Sequence, residues 1–385
     1  MRLFWPFFLI LFSGNALAAP DEEALGKSKG YPVCQNAKGS FSPESCLIGM
    51  MTHYHTVYPS RVVKKSAEPM PLRRAAQEPA LGVDKFLDEN RNMGLLVMRG
   101  DSILAERYQY ERRPEHLFAS MSMSKTVVAM LVGIAVAEKK ISSIDDLAEK
   151  YVPELKGHPY GETPIRHLLT MSSGVRFLEI YSGNDDVMKL GTAILFQQGP
   201  GGAAAVLPYK ERVAKPGERW SYASSETFVL ALVLRGATGE NLSDYTARVL
   251  WQPMGAESDA AWNIDPLGNE VGYCCFSATL RDWARLGLLL ANGGRAGGAG
   301  EGRQVIPAEW VKAATSAQVP GYGYQTWVHY QGDRFHLRGL RGQAVWVHPA
   351  TRTVVVHTSV YRMGGSAAAA LQGNFFDAVL KTLGN

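Results

Sequence analysis

The sequence of 385 residues lacks any block of basic residues, and after its first twenty positions it has no uninterrupted apolar run of roughly 18 residues. Its formal net charge of +4 is spread along the chain, which gives no reason to expect nucleic-acid binding. No segment beyond the N-terminus is expected to insert stably in a membrane. None of the nine histidines lies in a recognisable metal-binding motif, so we expect neither a metal nor another cofactor.

A second absence concerns hydrolytic motifs. Between residues 86 and 385 no serine is enclosed in a Gly-x-Ser-x-Gly sequence. That sequence forms the nucleophile elbow of α/β-hydrolases, so a Ser-His-Asp triad of that type is disfavoured. His53 and His55 are interpreted as ordinary loop residues, because no third histidine, cysteine or carboxylate cluster accompanies them.

Cysteine is also scarce, with four in the whole chain. Cys34 and Cys46 flank a short loop that contains a glycine and a proline, so we expect a local disulfide between them in an oxidising compartment. The adjacent Cys274 and Cys275 admit three uses: a vicinal disulfide, a pair of buried thiols, or a link to the N-terminal segment. The sequence leaves these three uses open.

The N-terminus has the composition of a secretory signal peptide. Arg2 precedes a short apolar run, and Ala16 and Ala18 supply a small-x-small cleavage site. We therefore assign residues 1–18 to a signal peptide cleaved after Ala18. The mature protein is then expected to be periplasmic or secreted.

The chain is organised around residues 118–138, where a polar turn leads into the most apolar helix-length segment. Ser122 and Lys125 lie three residues apart, so a helix that begins by Met121 places both side chains on one face. Ser-x-x-Lys occurs once in the sequence. It lies at the N-terminal end of a predicted helix that has apolar residues on all sides, and this pattern predicts that the helix is buried. Desolvation would lower the pKa of a lysine there toward the range in which it accepts a proton.

Strand patterns occur near both ends of the sequence. Residues 94–108 form two apolar runs on either side of Arg-Gly-Asp, which predicts a β-hairpin. The last part of the chain predicts an antiparallel meander and a closing helix, at 324–330, 335–339, 344–348, 353–360 and 366–383. This order predicts an α+β fold of the α/β-sandwich type: one antiparallel sheet from both chain ends, flanked by helices, with a helical lobe inserted at about 140–275.

Less regular segments surround this framework. Residues 19–85 are rich in Pro, Lys, Arg and Ser, which predicts an irregular N-terminal extension ahead of a domain at 86–385. Residues 175–217 also lack clear periodicity, and they are either a loop that covers the substrate or a surface excursion. Directly after them, Tyr222 precedes another apolar helix at 227–236. The hydroxyl of Tyr222 is thus a second polar group at the N-terminal end of a predicted apolar helix.

These patterns together resemble the serine β-lactamase and penicillin-binding-protein superfamily, and within it the class C-like branch of esterases and 6-aminohexanoate-dimer hydrolases. The sequence SMSK at 122–125 is similar to the Ser-x-x-Lys motif of that superfamily, and YAS at 222–224 resembles its Tyr-x-Asn/Ser element. The strand at 335–339 lies where the family has its Lys-Thr-Gly or His-x-Gly strand. The resemblance covers roughly residues 90–383.

The resemblance implies a β-lactamase/transpeptidase-like serine hydrolase domain at 86–385. It implies that Ser122 is the nucleophile and that Lys125 and Tyr222 accept and return its proton, since a serine hydroxyl needs an adjacent base. It also implies that the backbone N–H of Ser122 and one near Leu340 stabilise the oxyanion.

Tyr181 lies in a segment similar to one in the aminohexanoate-dimer hydrolases, whose tyrosine contacts the scissile amide, so the resemblance implies substrate binding by Tyr181. The sequence departs from the β-lactamase pattern at Ser224, where class C enzymes have asparagine, and in the third motif, which has no lysine. His336 and Arg338 are nearby, and the sequence does not show which of them faces the site. Both departures weaken the case for efficient β-lactam hydrolysis.

Three hypotheses follow. The first is an exported serine hydrolase that cleaves an amide or ester bond of a small molecule through a Ser-Lys-Tyr acyl-enzyme mechanism. The second is a β-lactamase or a peptidoglycan DD-peptidase. The third is a non-catalytic protein of the same fold that binds peptidoglycan or a partner, against which the intact Lys125 and Tyr222 argue. The oligomeric state is not indicated.

Overall fold

A computed structural model describes residues 19–34, 42–362 and 364–384. The predicted signal peptide at 1–18 lies outside the described residues. Among the described helices, none is both long and apolar enough to cross a bilayer.

The elements are numbered in chain order. The strands are β1 (Ser60–Val63), β2 (Arg73–Arg74), β3 (Asn92–Arg99), β4 (Ser102–Tyr108), β5 (Phe118–Ala119), β6 (Ala260–Asn263), β7 (Phe276–Ala278), β8 (Trp327–Val328), β9 (Phe335–Gly339), β10 (Gln343–His348) and β11 (Thr353–Ser359). The α-helices are α1 (Leu47–Val57), α2 (Val83–Glu89), α3 (Ser124–Ala137), α4 (Ile165–Leu169), α5 (Asp186–Ile194), α6 (Ser224–Thr238), α7 (Leu242–Thr246), α8 (Leu280–Ala291), α9 (Ala308–Ala314) and α10 (Gly365–Thr382).

A seven-stranded sheet has the order β2-β4-β3-β11-β10-β9-β8. All neighbouring strands in it are antiparallel except β2 and β4. The predicted hairpin is confirmed as β3 and β4, and β3 pairs with β11 from the other end of the chain. The prediction of one sheet built from both chain ends is therefore confirmed.

Helices cover both faces of this sheet, which explains why its central strands are apolar on both sides. On one face α8 approaches so closely that a Cβ on Gly287 would lie 2.7 Å from a methyl group of Val354. On the other face α10 packs Phe376 against Trp346, with ring centroids 5.7 Å apart. The architecture is a sandwich of helix, sheet and helix, as an α+β fold with two buried sheet faces requires.

The central helices α3 and α6 pack against each other beside this sandwich. Residues 124–135 of α3 are all buried, in agreement with the predicted buried helix. A second sheet, in the order β1-β6-β7-β5, connects these helices to the main body. Its strand β5 leads directly into the turn before α3, so the N-terminal end of α3 is fixed between the two sheets.

The N-terminal segment is more regular than the sequence predicted. It contains α1, which carries His53 and His55, and β1, which pairs with β6. The disulfide predicted between Cys34 and Cys46 is confirmed. The expectation of an irregular extension, and of loop positions for the two histidines, is therefore wrong. The signal that was missed is the apolar run LIGMM at 47–51, whose residues are all buried.

The segment at 175–217 is also partly ordered, since it contains α5 and a 3-10 turn at Gly202–Ala205. Asp185 caps α5, with its carboxylate accepting a hydrogen bond from the Met188 N–H at 3.3 Å. Val187, Met188 and Leu190 then become buried. This cap and these apolar positions are the local reason for a helix inside a segment that we expected to be irregular.

Candidate active site

Ser122 lies in a 3-10 turn, Met121–Met123, between the end of β5 and the start of α3. Met121 has a positive φ of 46°, an unfavourable conformation for a non-glycine residue. The hydroxyl of Ser120 accepts a hydrogen bond from the Phe276 N–H at 3.1 Å, which attaches the turn to β7. Backbone conformations of this type persist only where the surrounding structure holds them, and they cluster at functional sites.

Lys125 lies one turn further on and is 1% exposed. Its Nζ donates hydrogen bonds to Ser122 Oγ at 3.1 Å, to Ser224 Oγ at 2.9 Å and to the Tyr273 carbonyl oxygen at 3.0 Å. These three acceptors match the three N–H donors of an ammonium group. The predicted contact between the serine and the lysine is therefore present.

Burial changes the proton affinity of this lysine. Desolvation disfavours the charged amine and lowers the pKa of Lys125 to about 8, although the nearby carboxylate of Glu179 counteracts the fall. A lysine with a pKa of about 8 is neutral in about a tenth of the molecules at pH 7 and in about half of them at pH 8. It can therefore serve as a base toward the hydroxyl that it contacts.

Tyr222 lies on the other side of Ser122, at the entry to α6. Its ring centroid is 5.1 Å from Lys125 Nζ, and it stacks on Trp327 at a centroid distance of 5.8 Å. Burial and the carboxylate of Glu179 raise the pKa of Tyr222 well above its usual value, while a hydrogen bond with Ser122 lowers it. At neutral pH the phenol is therefore protonated and is a proton donor.

A carboxylate that sequence reasoning did not assign connects these groups. Glu179 accepts hydrogen bonds from the Ser224 N–H at 2.7 Å and from the Ser224 hydroxyl at 2.9 Å. It also accepts one from the Tyr181 hydroxyl at 2.7 Å. Glu179 thus caps the N-terminus of α6 and fixes the hydroxyl that contacts Lys125. No local signal indicates this role, because 45 positions separate Glu179 from Ser224.

Tyr181 is held beside the site by its own backbone. Its φ is 57°, and its N–H donates to the carboxylate of Asp185. Burial and the Glu179 carboxylate raise the pKa of the Tyr181 phenol well above its usual value. The structure therefore places a protonated, oriented hydroxyl from the 175–217 segment at the site.

The end of β9 forms the opposite edge of the site. A Cβ on Gly339 would clash with the carbonyl oxygen of Ser120, so only glycine permits this close approach. The approach places Leu340 in the wall of the cavity that contains Ser122. Leu340 thus joins Ser122, Lys125, Tyr222 and Tyr181, and all five residues selected from the sequence lie around one site.

The two basic residues of β9 occupy different environments. The His336 ring stacks between Trp346 of β10, at a centroid distance of 4.1 Å, and Trp327 of β8, at 6.4 Å. The Arg338 guanidinium lies 4.6 Å from the ring centroid of Trp327, and its charge lowers the pKa of Tyr222. Arg338, not His336, is therefore the basic group of this strand that influences the site.

The structure also shows the positions of the adjacent cysteines and of a Gly-x-Ser-x-Gly sequence. The adjacent Cys274 and Cys275 form a vicinal disulfide, which also lines the cavity beside Ser122. The one Gly-x-Ser-x-Gly match of the chain, at 26–30, encloses Ser28 in an exposed 3-10 turn, and the described residues before it, from 19 onward, form no strand. That serine lacks the strand-to-helix context of a nucleophile elbow.

The sheet from both chain ends, the inserted helices and the serine-lysine pair define a serine hydrolase with the architecture of β-lactamases and penicillin-binding proteins. The Beta-lactamase family model matches residues 83–367, so the chain belongs to the β-lactamase family. It is a serine hydrolase of the amidase or esterase type.

Individual relatives agree with this assignment. The chain is 27% identical over 314 residues to the 6-aminohexanoate-dimer hydrolase of Paenarthrobacter ureafaciens. The alignment covers 76% of this chain and 79% of that protein. A presumed 6-aminohexanoate-dimer hydrolase from Bacillus anthracis superposes with a TM-score of 0.76 at 22% identity, covering 88% of this chain and 94% of the other. A penicillin-binding protein from Bacillus halodurans gives a TM-score of 0.57 at 18% identity, covering 74% and 97%. The two structural similarities concern the fold alone.

Proposed function

We propose that the protein is an exported enzyme that cleaves an amide or ester bond of a small molecule through an acyl-enzyme on Ser122. The observation that carries this proposal is the 3.1 Å contact between Ser122 Oγ and a buried Lys125 whose pKa is lowered to about 8. A serine hydroxyl becomes an effective nucleophile when such a base lies within hydrogen-bond distance.

The directions of the pKa shifts favour a division of roles. In acylation, neutral Lys125 takes the Ser122 proton as Oγ attacks the carbonyl carbon, and the bond to the leaving group breaks. The protonated Tyr222 donates its proton to the leaving amine or alkoxide, and the lysine restores that proton to the phenolate. In deacylation the same groups activate water, which releases the acid and regenerates the Ser122 hydroxyl.

Two further groups complete the proposed mechanism. The backbone N–H of Ser122 and one beside Leu340 are proposed to stabilise the oxyanion, because the close approach of Gly339 to the turn brings β9 next to the nucleophile. The Tyr181 hydroxyl is proposed to contact the scissile group, since its loop holds it in the cavity wall.

Export is part of the proposal. It is supported by the signal-peptide composition of residues 1–18 and by two disulfides, which form and persist in oxidising compartments. We therefore propose a periplasmic or secreted location. N-terminal sequencing of the protein from a native periplasmic or culture fraction tests it, with a start at Ala19 as the expected result.

Covalent labelling tests the catalytic part. The mature protein is incubated with a fluorophosphonate probe and, separately, with a fluorescent penicillin, and the intact mass is measured. Stoichiometric fluorophosphonate labelling is expected in the wild type and in the Ser28→Ala control, and its loss is expected in Ser122→Ala. Stable penicillin labelling would instead support a peptidoglycan-directed enzyme, and no labelling by either probe contradicts the catalytic proposal.

A further inference from the structure

We infer that the N-terminal segment is part of the substrate pocket, and that Tyr54 and α5 restrict the acyl group of the substrate to a short aliphatic group. This inference rests on the proposed function, because it concerns the pocket that adjoins Ser122. Tyr54 lies outside the residues 83–367 that the family model matches.

The cavity beside Ser122 has one polar and one apolar side. Ser122 and Ser224 form the polar side. Lys125 and Glu179 lie behind it and form hydrogen bonds with Ser224. The apolar side is formed by Tyr54, Val187, Met188, Leu195, Phe196 and the Cys274–Cys275 disulfide. An apolar lining of this kind excludes ordered water and favours a hydrocarbon group.

The size of the cavity limits that hydrocarbon group. Its volume is about 80 Å³. An apolar cavity of roughly 150 Å³ is known to hold benzene, and a water molecule occupies roughly 30 Å³ of liquid. The space therefore accommodates about three carbon atoms and not an aromatic ring. Larger depressions on the described surface, of about 500 and 640 Å³, are not lined by Ser122.

Tyr54 is positioned rigidly by several independent contacts of its segment. Its carbonyl oxygen accepts a hydrogen bond from Asn263 Nδ2 at 3.0 Å, and Arg112 donates to Thr52 Oγ1 of the same helix at 2.9 Å. The Tyr54 ring lies 5.8 Å from the ring of Tyr58, and together with Tyr273 it lines the cavity beside Ser122. The wall formed by Tyr54 is thus part of the folded domain.

The same segment is anchored at a distance from the site. Arg91, which is 6% exposed, donates to Asp21 at 2.7 Å and to Glu44 at 2.6 Å. The Tyr110 hydroxyl donates to the Pro20 carbonyl oxygen at 2.9 Å. These contacts explain how residues before the family-matched region keep a fixed position in the pocket.

Gly191 provides a second way to change the pocket. It lies in α5, and a Cβ there would meet only the Tyr273 hydroxyl, at 3.7 Å, which is an ordinary contact distance. Gly191→Ala therefore narrows the cavity without a clash, and alanine is more favourable than glycine inside a helix. This variant is expected to fold even if Tyr54→Ala does not.

The test measures initial p-nitrophenol release from the acetate, butyrate, octanoate and benzoate esters. Wild type is expected to prefer butyrate to acetate by about fifteenfold, since each of two additional buried methylenes contributes about fourfold, and to discriminate against benzoate. Tyr54→Ala is expected to raise the benzoate to butyrate ratio by at least about tenfold. Gly191→Ala is expected to lower the butyrate to acetate ratio by about fourfold.

Two matched variants serve as controls. Thr56→Ala changes the exposed face of α1 and Lys189→Ala changes the exposed face of α5, and both are expected to keep the wild-type ratios. Fluorophosphonate labelling of Ser122 is measured for every variant. Labelling with unchanged ratios in both pocket variants, or with no release from any ester, would overturn this inference alone. Failure of labelling in the wild type would overturn it together with the proposed function.

Discussion

The two sides of the cleft differ in how their groups are held. On the polar side, Lys125, Ser224, Glu179 and Tyr181 form a continuous chain of hydrogen bonds, so a change in one charge alters the pKa of the others. On the apolar side, side chains from the N-terminal segment and α5 surround a cavity of about 80 Å³. The comparison teaches that reactivity and selectivity are built from different interactions, and that each can be changed separately.

The largest expected effect is on the polar side. Lys125→Met should reduce the rate of fluorophosphonate labelling by about 10²–10⁴-fold, the usual contribution of a positioned base. The ester preference that remains measurable should keep the wild-type order, because the apolar side is intact. The measurement is the second-order labelling rate from intact mass. A rate within about threefold of wild type would contradict the assignment of Lys125 as the base.

The same variant also provides a stability test with a defined sign. The pKa of Lys125 falls from 10.5 to about 8 on folding, so the unfolded chain binds more protons between these values. The penalty for burying the charge is complete below pH 8 and decreases as the pH rises above 8. Between pH 7 and pH 9.5, wild type should gain about 2 kcal/mol of unfolding free energy relative to Lys125→Met in urea denaturation. Equal pH dependence of the two proteins would contradict the lowered pKa.

A smaller effect concerns the pH profile. In wild type the labelling rate should rise through pH about 8, because the neutral form of Lys125 is the reactive one. Glu179→Gln removes a charge that raises the pKa of both Lys125 and Tyr222, so the rising limb should move to lower pH. A profile from pH 6 to 10 measures this shift. A limb at the same pH, or at higher pH, would show that Glu179 does not control the proton affinity of the site.

The smallest expected effect on the labelling rate comes from a change at Glu226, a buried carboxyl group whose main effect is on stability. Burial raises the pKa of Glu226 to about 8, and the group accepts hydrogen bonds from Ser173. Since the unfolded chain releases this proton near 4.5, wild type should lose stability as the pH rises from about 4.5 to 8. Glu226→Gln should remove this loss and leave the labelling rate within about twofold. Urea denaturation at pH 5 and pH 8 checks it, and an unchanged slope would contradict the raised pKa.

The sequence by itself determined the parts of the molecule that depend on local spacing. Ser122 and Lys125 are in contact because they lie three positions apart at the start of a helix. Tyr222 lies at the N-terminal end of the second buried helix because it directly precedes an apolar run in the sequence.

The tertiary structure decided what depends on residues far apart in the chain. Only the fold placed Glu179 on Ser224, which lies 45 positions away, and Tyr54 in the cavity beside Ser122. The fold also decided that Arg338, and not His336, is the basic residue of β9 near the site. Cross-strand packing stacks His336 on Trp346, whereas Arg338 lies over Trp327. Local periodicity carries no information about such contacts, since they arise only when the two chain ends form one sheet and the inserted helices close over it.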